Sequence, residues 1–196
     1  MSRIDQDKAQ RIHDSATELF ARFGYRKTSI SEIAEAAQVG KGTVYLVAKN
    51  KEELFFQVVS REVRAWVARI RTSAVALPAD KLLVQTSMSA FLYMEERPLV
   101  KDLLLGNLEE VLPLWTEQLE ELREEGRAFT RGILQQGIEE GLFRRDLRVE
   151  ETARIMQNMM AMGLLLAYRE RKSLADQMAQ GAITLDLLLN GLVVRP

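Results

Sequence analysis

The chain has 196 residues, with 27 Lys and Arg against 28 Asp and Glu, one His and no Cys. At 28% charged and 47% hydrophobic it has the composition of a folded globular protein, long enough for one or two domains with a real core. The missing Cys excludes a disulfide framework, a thiolate nucleophile and a Cys-based metal site, and the lone His excludes any mechanism that needs two imidazoles from one chain.

The first eight residues lack the apolar stretch of a signal peptide. Ala9, Ile12, Ala16, Leu19, Phe20 and Phe23 then recur at the three-and-four spacing of one helical face. Gly24 supplies a left-handed stop. Ser29 and Glu32 form a capping box, in which the Ser hydroxyl accepts from the backbone three residues on and the Glu reaches back. A short helix follows, with Ile30, Ile33, Ala34 and Ala37 inside. Gln38, Val39 and Gly40 break it. A second short helix runs from about Lys41 to Leu46. Asn50 with Glu53 marks another start, opening a long helix whose stripe is Leu54, Phe55, Val58, Val59, Val63, Trp66, Val67 and Ile70.

Pro78, Pro98 and Pro113 punctuate the middle of the chain near helix starts. From Pro113 to Glu140 a seam of Trp115, Leu119, Leu122, Gly126, Phe129, Ile133 and Gly137 suits packing between helices. Gly141 ends it, with Leu142 and Phe143 folding back. Two last helices run from about Glu150 to Arg171 and Ala175 to Leu192. No run alternates like a strand. The longest apolar run, Met159 to Tyr168, is about half of what a membrane span needs. The expected fold is all-α with about nine helices, and the expected setting is soluble and cytoplasmic.

Charge is unevenly placed. Residues 1–51 carry nine basic and six acidic groups, whereas the remainder is net acidic. Alone this excess reads as a solvated face. Its position says more. Two short helices joined by a Gly-containing turn outline a helix-turn-helix. Arg26, Lys27 and Thr28 precede the first, Lys41, Thr43 and Tyr45 lie on the second, and Lys49 and Lys51 follow it. Donors thus cluster where a DNA backbone would pass, and small residues at Gly40 and Gly42 allow close approach.

The stretch from Ile12 to Tyr45, continued by Lys49 to Leu54, resembles the N-terminal domain of TetR-type transcriptional regulators. The resemblance rests on Leu19-Phe20, Phe23-Gly24-Tyr25, Thr28-Ser29-Ile30-Ser31-Glu32-Ile33-Ala34, Gly42-Thr43-Val44-Tyr45 and Lys51-Glu52-Glu53-Leu54, in family order and spacing. It covers about the first quarter of the chain. It implies a three-helix DNA-binding head at 1–50 and an effector-binding, dimerising body at 51–196. Carried over by position, Thr28, Tyr45 and Lys51 touch phosphates, and Lys41, Gly42 and Thr43 meet base edges or adjacent phosphates. Ser29 and Lys49 complete the expected DNA-binding set. The chain departs from the family at three places. Gln38 stands where Gly is usual, and Val47 and Ala48 replace two aromatics. One phosphate contact is thereby lost and a packing gap opens beside Ala48. A small-molecule-binding protein with a weakened DNA head is the alternative reading.

Other signals carry less. The stretch from Gly40 to Thr43 lacks the spacing of a phosphate-binding loop. His13 has no second metal ligand nearby and reads as a surface or capping residue. Adjacent glutamates such as Glu124 and Glu125 diverge by about 100° on a helix and form no catalytic pair. No catalytic set, metal or cofactor is implied. The two last helices are apolar round more than one face, which favours a two-fold homodimer through Met156, Met159, Met160, Gly163, Leu164, Ile183, Leu187 and Leu188. Candidate lining for an effector cavity is Trp66, Phe91, Met94, Trp115, Phe129 and Tyr168, which suits an apolar or aromatic small molecule. The expected function is a DNA-binding transcriptional regulator, a repressor released from double-stranded operator DNA by that effector, with no membrane partner.

Overall fold

The structure is a computed structural model that describes residues 5–73, 77–97, 99, 116–170 and 172–192. Eight helices lie among them: α1 (Gln6–Lys27), α2 (Ile30–Ala36), α3 (Lys41–Val47), α4 (Lys51–Ser73), α5 (Ala79–Glu96), α6 (Thr116–Glu139), α7 (Val149–Arg169) and α8 (Leu174–Leu192). The all-α expectation holds. Pro98, Pro113 and Trp115, and with them the start of the expected seam, lie outside the described residues.

Local signals set the boundaries of the first four helices. Asp5 caps α1, its carboxylate accepting from the Asp7 N–H at 3.2 Å. Gly24 has φ 80° and ψ 163°. The positive φ is as expected, but the backbone is extended rather than left-handed helical, a region open essentially to Gly alone. It kinks the chain, and one more turn follows through Lys27. The capping box at α2 is complete: Ser29 Oγ accepts from the Glu32 N–H at 3.2 Å, and Glu32 accepts from the Ser29 N–H at 2.8 Å. In the turn between α2 and α3, Gln38 takes φ 54°, a conformation that favours Gly. Asn50 caps α4 by accepting from the Glu53 N–H at 2.7 Å, and Glu53 returns the favour to Lys49 at 2.8 Å.

Helices α1 to α3 close over the first turns of α4. Their shared core holds Ile12, Ala16, Phe20, Ile30, Ile33, Val44, Leu54, Phe55 and Val58, all buried. Phe20 meets Phe55 edge-on at 4.9 Å, and Tyr25 meets Phe55 at 5.1 Å. Such aromatic pairs add about 0.5–1.5 kcal/mol each beyond their burial. The expected boundary at residue 50 coincides with the α4 cap, yet the head draws a third of this core from α4 itself.

In the body, α5 packs on α8, α6 on α7, and α5 on α6. The end of α6 follows its sequence signal closely. Gly141 has φ 73°, and the N–H groups of Leu142 and Phe143 both donate to the Gly137 carbonyl at 2.9 Å. Phe143 is thereby folded over Gly137 and fully buried. Only Gly fits there, because a Cβ at 137 would overlap the Phe143 ring.

Candidate nucleic-acid interface and ligand cavity

The short helix α3 turns one side inward and one side out. Val44 is fully buried and anchors it. Residues one and two positions on lie about 100° and 200° round the helix, so they must face away. Tyr45 is 46% exposed and Leu46 62% exposed. Lys41 and Gly42 are also exposed, and Thr43 is half-buried at the first turn. The expected residues therefore share one outward surface. Leu46 joins them unpredicted, although the inward placement of Val44 was signal enough to find it. Lys49 and Ser29 are exposed beside this surface.

Two expected phosphate contacts are otherwise engaged. Thr28 is 2% exposed, and its hydroxyl donates to the carbonyls of Gly24 at 2.9 Å and Leu19 at 3.2 Å. The Thr28 hydroxyl thereby ties the entrance of α2 to the last turns of α1 at the Gly24 kink. The Lys51 ammonium donates to the carbonyls of Tyr25 at 3.0 Å and Thr28 at 3.1 Å, and sits 4.2 Å from the centre of the Tyr25 ring. Tyr25 in turn donates to Glu52 at 2.8 Å. Two of the three ammonium protons are thus used inside the head. Both residues lock the α1–α2 joint to the start of α4.

The gap expected at Ala48 is closed. Ala48 is buried, and Gln57 of α4 reaches the carbonyl of neighbouring Val47 at 3.2 Å. His13, read as a surface or capping residue, is half-buried and lies 2.9 Å from Gln57 Oε1.

A cavity of about 440 Å³ lies in the body between α4, α5, α6, α7 and α8. Trp66, Phe91 and Phe129 line it as expected. The side chains of Met94 and Tyr168, and all of Trp115, lie outside the described residues. Most of the wall is apolar, but Thr86, Tyr93, Gln157 and Gln177 also contribute. Ser87, Thr130, Gln180 and Thr184 line it too, so the polar groups are spread over several helices, and apolar periodicity did not mark them. At the rim, Arg64 of α4 makes a two-pronged ion pair with Glu125 of α6, at 2.8–3.1 Å. The Arg64 guanidinium holds the Glu125 carboxyl below the usual carboxylate range.

The expected dimer residues divide between this cavity and the outer surface. Met156 and Leu164 are buried against the chain's own core, and Met160, Gly163 and Leu188 line the cavity. They lie off the outer face of their helices, by about a quarter-turn for Met156 and Gly163, about a third for Met160 and Leu188 and nearly a half for Leu164, so within one copy they face inward, against the expectation for them. Met159 lines the cavity and is also 40% exposed. Ile183 and Leu187 are exposed at 64% and 69%. Ile155, Met162 and Leu166 are exposed too, and were missed. With Met159 they form the true outer stripe of α7, stepping by four, three and four residues.

The family model "Bacterial regulatory proteins, tetR family" matches residues 12–58. An uncharacterised HTH-type transcriptional regulator of Bacillus subtilis is 46% identical over 52 residues, which span 26% of this chain and 27% of the relative. The HTH-type transcriptional repressor KstR2 of Rhodococcus jostii is 30% identical over 160 residues, covering 74% of this chain and 72% of the relative. The chain belongs to the TetR family. It is a DNA-binding transcriptional regulator. FadR of Bacillus subtilis, solved in complex with stearoyl-CoA, shares the fold: TM-score 0.73 at 23% identity, over 93% of this chain and 98% of that one. Among the described residues no helix is long and apolar enough to cross a membrane.

Proposed function

We infer that two copies of the chain grip operator DNA through paired α3 helices and repress until a lipophilic molecule fills the cavity. The course of α4 carries this reading. Leu54, Phe55 and Val58 belong to the head core, whereas Val63, Trp66, Val67 and Ile70 of the same helix line the cavity. A ligand that displaces the second set tilts the helix on which the head is built. Only its differential affinity for the gripping and released conformations can drive that change.

In this reading Lys41, Gly42, Thr43, Tyr45 and Leu46 enter the major groove, and Ser29, Lys49 and the remaining proton of Lys51 meet phosphates. Thr28 positions the entrance of α2 instead of touching DNA. The second copy covers the exposed stripe of Ile155, Met159, Met162 and Leu166, together with Ile183 and Leu187 of α8. A two-fold axis there sets the two α3 helices to read half-sites spaced by about 34–36 Å or a multiple of it. The apolar wall suits an apolar or aromatic effector, and the stearoyl-CoA held by Bacillus subtilis FadR is an example of that chemistry in a protein of this fold. The sealed Ala48 and the Gln57 brace support a working head over the decayed one.

Selection of genomic fragments by the purified protein tests the reading. Recovered fragments should share a pseudo-palindrome, and footprinting should show two protected half-sites. Sedimentation should give a dimer that the double variant Ile183→Glu, Leu187→Glu converts to a monomer with little operator affinity. A monomeric wild-type chain with no preference among fragments would contradict it.

A further inference from the structure

Trp66 of α4 and Tyr93 of α5 stack with ring centres 5.0 Å apart and planes 18° apart. Both line the cavity. The indole Nε1 and the Tyr93 hydroxyl are buried, and neither has a hydrogen-bond partner among the described residues. The Thr86 hydroxyl, in the same cavity wall, is in the same state. Native proteins satisfy nearly all such groups, so three in one wall call for an explanation. An apolar cavity flanked by unpaired donors is built for a ligand that supplies the missing acceptor.

We propose that the Trp66–Tyr93 pair is a recognition point for an uncharged oxygen, such as the carbonyl of a ketone, ester or thioester, carried on an otherwise apolar effector. The inference rests on reading the cavity as the effector site. An indole N–H can only donate, so the ligand atom must accept. Charge is disfavoured by the neighbours. Glu62 faces Tyr93 with a largely buried carboxylate; of the two cations that act on Tyr93, Arg97 is already paired with Glu62 at 3.3 Å and Arg69 is solvent-exposed. Burial, with Glu62 next, raises the Tyr93 hydroxyl well above its ordinary range, so it remains a proton donor. Arg64 and Arg123 stand at the solvent-exposed rim. Thr86 lies two helical turns from Tyr93 on the same face of α5, about 10 Å away along the axis, and serves a different ligand atom.

The two donors are shielded from the cavity space as well as from bulk water, so meeting a ligand oxygen requires the stacked rings to turn. Trp66 sits on α4, the helix that continues into the head. A carbonyl ligand therefore binds best to a conformation in which α4 has shifted against α5. A hydrocarbon of equal size fills the cavity without that preference. The same contact supplies both specificity and the differential affinity that release requires.

Butylbenzene, butyrophenone and 4-phenylbutyrate form a matched set of probes: hydrocarbon, ketone and carboxylate. Calorimetry measures their binding, and fluorescence anisotropy with a selected operator duplex measures release. The expected result is that butyrophenone binds about tenfold tighter than butylbenzene, the size of one neutral hydrogen bond. It should also release DNA at occupancies where butylbenzene does not. Tyr93→Phe and Trp66→Phe keep a ring in the stack and should each bring the ketone preference down severalfold while leaving butylbenzene binding in place. Tyr93→Phe should not lower the stability of the ligand-free protein, whereas a purely structural hydroxyl would. Equal binding of ketone and hydrocarbon, unchanged in both variants, overturns the recognition point and leaves the effector cavity standing. Preferred binding of the carboxylate overturns its uncharged character. Failure of all three probes to bind or to release DNA overturns the cavity reading and this inference together.

Discussion

His13 and Gln57 meet across the α1–α4 interface, with Nε2 and Oε1 2.9 Å apart. The Gln57 amide nitrogen donates onward to the Val47 carbonyl at 3.2 Å. That second bond fixes the amide orientation, so Gln57 Oε1 is the acceptor and His13 Nε2 carries the proton. The chain of contacts holds the end of α3 where the family has an aromatic side chain and this sequence has Ala48. Gln57→Leu should therefore cost about 1–2 kcal/mol of stability and leave a partner unpaired on each side. Urea unfolding checks the stability, and operator titration should show weaker binding than any loss of folded protein explains. Unchanged values for both would show that the head is closed by other means.

The same substitution should have opposite effects at three glycines of the body. At Gly132, on the exposed side of α6, an added Cβ meets nothing within 4 Å, so Gly132→Ala should stabilise by up to about 1 kcal/mol through helix propensity. At Gly137 a Cβ overlaps buried Phe143, and Gly137→Ala should cost about 1–3 kcal/mol or more. At Gly181 a Cβ would lie 2.5 Å from the Phe91 ring, which lines the cavity. Gly181→Ala must push that ring aside, and should lower effector affinity while operator binding persists. Thermal melts rank the three; ligand titration separates the last from the second.

Acid should weaken the head and the ion pairs of α6 together. Ser29, through its hydroxyl and its backbone N–H, holds the Glu32 carboxyl below its ordinary value. A depressed carboxylate contributes stability that is complete above the unfolded value of about 4.3 and fades as pH falls through the lower folded value. Glu124 and Glu125, each bonded to arginine, act in the same direction. Glu62 runs the other way, because burial raises it against the pull of Arg97. The native state takes up its proton first, so Glu62 gains stability on acidification. Glu32→Gln should flatten the acid limb of a stability–pH profile, and Glu62→Gln should steepen it. The reverse pair of slopes would contradict these assignments.

The head was largely legible in the sequence because its signals are local. The capping box at Ser29, the turn at Gln38 and the Asn50 cap each act within four residues, and the structure keeps all of them. Thr28 and Lys51 were legible as positions but not as contacts. Their engagement with the carbonyls of Gly24, Leu19 and Tyr25 depends on the kink at Gly24, whose ψ no spacing rule predicts. In the body, apolar periodicity gave the helices but not which apolar face looks outward. Met156 and Ile155 are neighbours in a helix that carries apolar residues on more than one face, and only its packing in the body tells them apart. Tyr93 and Thr86 were invisible for a related reason: a single polar atom on a buried face acquires meaning only when its lack of a partner is known.

The most direct test of the central claim is the salt dependence of operator affinity for wild type, Lys41→Ala, Tyr45→Ala and Leu46→Ala on one selected duplex. The outward face of α3 predicts that all three variants bind about five- to 150-fold more weakly, as for contacts worth about 1–3 kcal/mol each. Removing the Lys41 cation from the groove should lower the slope of log affinity against log salt by up to about one unit, and Leu46→Ala should leave it unchanged. Wild-type affinity and slope in all three variants would show that this face does not meet DNA.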